Sequence, residues 1–122
     1  MGLTIAESQA TLDARFPTSG GTDFIAYSVN GTSEWANLAR TGVGATGWSA
    51  ATAADPSVKQ NGGTLTSGTV TTAGGTVSHF AIYTAVTAGT QRTDWQAVNT
   101  ARVLAIGDSL QWVANTCQIT LT

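Results

Sequence analysis

The chain has 122 residues with 10% charged, seven acids against five bases, and a net charge of −2. A single domain of this length buries roughly 65–70% of its unfolded surface and folds without staples, while its charged fraction lies far below the ~25% of an ordinary soluble domain. Five scattered bases cannot neutralise a phosphate backbone, which excludes nucleic acid as the main partner. No run approaches ~18 apolar residues, so a membrane span is not expected. No N-terminal stretch joins bases to an apolar run of signal-peptide length, so synthesis in a cytoplasm without secretion is expected.

Thr4-Ile5-Ala6-Glu7 has the form of a capping box and predicts a helix start. Ile5, Leu12 and Phe16 then fall on one stripe, Glu7, Gln9, Thr11 and Asp13 face outward, and Pro17 with Ser19-Gly20-Gly21 stops the helix. Residues 23–29 carry apolar side chains on both faces, which predicts a central strand, and Asn30-Gly31 supplies a turn. Strands are expected at 34–40 and 47–53, each with a Trp, followed by a turn at 54–57. Residues 60–75 are Thr-rich, Gly-punctuated and uncharged, and read as short strands or extended arms ordered against a neighbour, with disorder as the competing reading.

Short strands separated by turn signals follow at 77–85, 93–98, 101–106, 110–114 and 116–122. In the last of these Cys117, Ile119 and Leu121 alternate with polar residues, so the single cysteine reads as a small buried hydrophobe. The pattern predicts a mainly β chain: a single-domain antiparallel β-sandwich or barrel-like fold, with a helical arm over 1–16 and the β-domain over 17–122.

Several motifs resemble chemistry without its context. Gly107-Asp108-Ser109-Leu110 spells a hydrolase nucleophile motif, but no histidine follows Ser109 to act as base, and a Gly-Asp hairpin turn with Ser109 opening a strand is the preferred reading. Gly42-Val43-Gly44-Ala45-Thr46-Gly47 matches G-x-G-x-x-G but lacks the following helix and the acid about twenty residues on, and reads as a glycine-rich surface loop. His79 is the only histidine, without metal-ligand spacing around it, and a structural hydrogen bond or a subunit contact is expected of it. Asn30-Gly31-Thr32 reads as a turn despite matching a glycosylation sequon. No catalytic residue, metal or cofactor is expected.

The segment Thr76-Val77-Ser78-His79-Phe80-Ala81-Ile82-Tyr83, followed by Gly107-Asp108-Ser109-Leu110-Gln111-Trp112 and a terminal Ile-Thr-Leu-Thr, resembles small bacteriophage virion proteins of the tail-fibre-like and capsid decoration-like group. The chain departs from that pattern at Ala81, where Gly is usual, at Thr84, where Asp is usual, and at Trp112, where Phe is usual. The resemblance implies a capsid decoration (cement) protein on the virion surface, a homotrimer bound to the major capsid protein. A tail module binding host glycans is the first alternative, and an envelope hydrolase resting on residues 107–110 is the second. The positions expected at a subunit or capsid interface are Leu3, Ile5, Leu12, Phe16, Trp35, Trp48, Leu65 and Val70.

Overall fold

The computed structural model describes residues 4–18, 22–44, 47–53, 57–113 and 116–121. Helix α1 (Ile5–Arg15) is followed by β1 (Phe24–Ser28), β2 (Thr41–Gly42), β3 (Ser57–Gln60), β4 (Leu65–Thr69), β5 (Gly75–Tyr83), β6 (Gln96–Leu104), β7 (Ser109–Trp112) and β8 (Gln118–Leu121). The chain is mainly β with one N-terminal helix, as its alternation pattern predicts. Its backbone gathers into two compact units, one of Met1–Gly21, Val43–Leu65 and Trp112–Thr122, the other of Thr22–Gly42 and Thr66–Gln111.

The second unit is built on an antiparallel four-stranded sheet of order β2-β1-β5-β6. Strand β1 lies inside it, and Ile25, Ala26, Tyr27 and Ser28 are all buried, as expected of a strand with apolar side chains on both faces. The buried Tyr27 hydroxyl is satisfied by a hydrogen bond with Thr41 Oγ1. Residues 34–40 are not the expected strand. Arg40 closes on Glu34 with two hydrogen bonds, Nε to Oε2 at 2.9 Å and Nη2 to Oε1 at 2.8 Å. Six residues of extended chain would hold these two about 20 Å apart, so the pair requires the backbone to turn, and Leu38 is buried within that turn.

The expected strands at 93–98 and 101–106 are one strand, β6, with a bulge: five steps of β6 from Ala97 to Arg102 span two steps of β5 from Val77 to His79. The Gly107-Asp108 turn forms as expected, with Gly107 at φ +90° and Asp108 Oδ2 accepting from the Ala105 amide at 2.9 Å. It does not close a hairpin, because β7 pairs with β4 and not with β6. The Leu110 amide donates to Ser67 Oγ at 2.7 Å, and the Val70 amide to Asp108 O at 2.9 Å. Residues 65–69, in the Thr-rich middle, take the strand alternative.

In the first unit, the Glu7 amide donates to the Thr4 hydroxyl at 3.2 Å and caps α1. The helix buries Ser8 and Leu12, and Phe16 is buried just beyond it; Ile5 remains 47% exposed, since Ser8, one turn before Leu12, takes the inward position. Gln9 and Asp13 do not face outward as expected. Gln9 Nε2 donates to Ala51 O at 3.1 Å, and Asp13 Oδ1 accepts from the Ala51 amide at 2.9 Å and from Lys59 Nζ at 2.7 Å. The helix is thereby fastened to the rest of its unit through Ala51 and Lys59.

Strand β3 is absent from the sequence reading because it carries Lys59, whose side chain is fully buried and would ordinarily mark a solvated position. It pairs antiparallel with β8, Val58 opposite Thr120 and Lys59 opposite Ile119. Residues 47–53 run beside β3 without forming the expected strand: the Ser49 amide bonds Gln60 O and the Thr52 amide bonds Val58 O, three residues against two, which breaks a regular ladder. The turn expected at 54–57 falls mostly outside the described residues, and Ser57 itself opens β3. Buried Asn61 ties three segments together, its Oδ1 accepting from the Thr116 and Cys117 amides and its Nδ2 donating to Gly63 O and Val113 O.

Candidate functional site

The sequence-selected interface positions do not share one environment. Leu12, Phe16, Trp48 and Val70 are buried, with exposures of 6% or less; a side chain enclosed by its own chain has no surface left for a partner. Trp48 and Phe16 meet edge to face, ring centroids 5.8 Å apart, which explains their burial as core packing. Ile5 is exposed, Trp35 and Leu65 are half-buried, and Leu3 lies outside the described residues. Trp35 lies over Gly75, where an added Cβ would stand 3.0 Å from its ring. Trp112 is buried, as its phase with Leu110 predicts.

The motifs resolve into turns and packing. Gly44 adopts φ +84°, and a Cβ on Gly47 would stand 1.9 Å from Val43 O, so that loop needs glycine for close backbone approach. No helix follows it among the described residues; Trp48 instead bridges to Asn61. Asn30 Oδ1 accepts from the Thr32 and Ser33 amides, which makes an Asx-type turn. His79 Nδ1 shares a hydrogen bond with Ser78 Oγ at 2.8 Å, and its ring lies directly under Gly31, itself at φ +77°. Ser109 opens β7 and is exposed.

The surface that stands out belongs to β6. Among the described residues nothing pairs with its outer edge. Leu104 is its only buried side chain among those described; Ala97, Thr100, Ala101, Arg102 and Val103 are exposed. Val103 is 80% exposed, and Ile106 just beyond the strand is 63% exposed. An open strand edge presents unpaired N–H and C=O groups and is a template for another chain. The sequence reading missed it because burial, and not alternation, distinguishes an edge strand; Arg102 in mid-strand was the available signal, since charge is tolerated on an open edge.

A second cluster lies beside it on the same unit. Arg40 stacks over the Tyr83 ring at 3.9 Å from its centroid and donates to Ala85 O and Ala88 O at 2.9 and 2.7 Å, while Tyr83 tilts against Trp95 with centroids 6.2 Å apart. The hydrogen bonds that Arg40 donates to Glu34 hold its guanidinium above the usual arginine pKa against the opposing effect of burial. Gln91 Oε1 accepts from the Tyr83 hydroxyl and its Nε2 donates to Thr93 O. These groups hold the loop of residues 84–92, whose turn uses Ala88 and Gly89 at positive φ.

Comparison with protein-family models and with curated proteins returns no match. Among the described residues no group of three or more His, Cys, Asp or Glu is placed to hold a metal ion, and no helix is long and apolar enough to cross a membrane.

Proposed function

We propose that the chain is a structural protein of a bacteriophage virion, a capsid decoration protein that binds the outer capsid surface in several copies and stabilises the head. The observation that carries this reading is the outer edge of β6, open among the described residues, with Val103 and Ile106 exposed beside it. A surface of that kind serves protein association. Support for the virion comes from the sequence resemblance across residues 76–83 and 107–122, and from a net charge of −2, which leaves little repulsion between neighbouring copies. Many copies make weak individual contacts sufficient, since each bound neighbour raises the effective concentration of the next.

The test is the copy number of this chain in purified virions of the phage that encodes it, measured by quantitative mass spectrometry against the major capsid protein. A number comparable to the capsid protein is expected. A handful per particle moves the protein to the tail and overturns the decoration role, and absence from virions overturns the structural reading altogether.

A further inference from the structure

The chain holds few ions, and most of its bases are committed internally: Lys59 to Asp13, Arg40 to Glu34, Arg92 to Asp23. Asp94 and Arg102 differ. Both are exposed, and neither has an ion pair or side-chain hydrogen bond among the described residues. Arg102 lies in β6, and Asp94 sits two residues before that strand begins.

We infer that the outer edge of β6 is the contact between two copies of this chain, paired antiparallel about a two-fold axis at Val98. In that register residue i of one copy faces residue 196 − i of its partner, a numbering relation that follows from two-fold symmetry. Asp94 then faces Arg102 of the second copy, and the symmetry makes the same ion pair twice. Gln96 faces Thr100, Trp95 faces Ala101, Thr93 faces Val103, and Val98 faces itself. Of these pairs Asp94–Arg102 is the favourable one, the others are neutral combinations, and no like charges oppose.

Two features of β6 ordinarily deter edge pairing, a mid-strand charge and a bulge. The charge becomes an attractor here because the register brings Asp94 to it. The bulge gives the residues between Ala97 and Arg102 more backbone groups than β5 can pair, and a second edge supplies partners for them. The strand has neither of the stronger guards, proline or lysine.

Sedimentation equilibrium of the full chain tests this, with circular dichroism to establish folding. A reversible dimer is expected. Arg102→Glu or Asp94→Arg alone weakens it about tenfold or more, since each reversal creates two like-charge pairs, and Asp94→Arg combined with Arg102→Asp restores it. Val98→Cys provides the independent check: opposed Cα atoms in an antiparallel pair are about 4.5–5.5 Å apart, within disulfide reach, so mild oxidation yields a cross-linked dimer. A folded monomer at all concentrations, a trimer, a dimer indifferent to both charge reversals, or a folded Val98→Cys variant that fails to cross-link overturns the inference. It does not rest on the virion reading: a monomer present in high copy number on particles removes the two-fold contact and leaves the decoration role standing.

Discussion

Lys59 is a lysine with no exposed side-chain surface and one carboxylate oxygen 2.7 Å from its ammonium. Removing that carboxylate leaves a buried charge alone, so Asp13→Ala is expected to lower stability by about 3 kcal/mol in urea unfolding. Lys59→Met, which removes the charge and keeps the volume, is expected to cost far less. Asp13 titrates below its ordinary value, first because Lys59 hydrogen-bonds it and then because the Ala51 amide does. A carboxyl with a lowered folded-state pKa stabilises above its unfolded value of ~3.9 and loses that contribution as pH falls through the folded value. Asp13→Asn should therefore flatten the acid limb of the stability profile below about pH 4. Ser8 supplies the opposite case, a buried hydroxyl without a hydrogen-bond partner among the described residues; Ser8→Ala is expected to be neutral or to stabilise by up to about 1 kcal/mol.

At the scale of elements, the junction between β3 and β8 depends on Asn61, whose one side chain satisfies amides and carbonyls from three stretches of chain. Asn61→Ala is expected to cost about 3 kcal/mol or more, because several buried backbone groups lose partners together. Cys117 sits at this junction, fully buried, and burial pushes its thiol pKa far up. Alkylation of Cys117 is expected only upon unfolding, so its labelling rate reports opening of β8. In the other unit, Ser109 opens β7 at an exposed position. Ser109→Ala is expected to shift stability by no more than about 0.5 kcal/mol; loss of an envelope-hydrolysing turnover in that variant would instead revive the nucleophile reading.

For the molecule as a whole, elements with a strong local signature were legible. Thr4 and Glu7 marked the helix start, residues 23–29 marked an interior strand, and the alternation through Cys117 and Ile119 marked a buried face. Elements whose form depends on distant partners were not. Lys59 conceals β3, because a buried lysine is intelligible only once Asp13, from a helix 46 residues earlier, stands beside it. Glu34 and Arg40 conceal a turn inside a stretch that reads as a strand. Four of the eight interface positions, Leu12, Phe16, Trp48 and Val70, are apolar residues that the folded chain encloses, because burial depends on packing against distant segments and not on their near neighbours in sequence.

What the sequence determined by itself is therefore the kind of secondary structure, since a period of two or a capping box acts over a few residues and needs no partner to be read. The tertiary structure alone decided which strands are neighbours and which surface is left open. Strand β3 joins β8 some sixty residues later, β7 leaves β6 for β4, and β6 is left with its outer edge unpaired among the described residues. Such pairings are chosen by the free energy of bringing distant segments together, a quantity spread across the whole chain and absent from any short window of it.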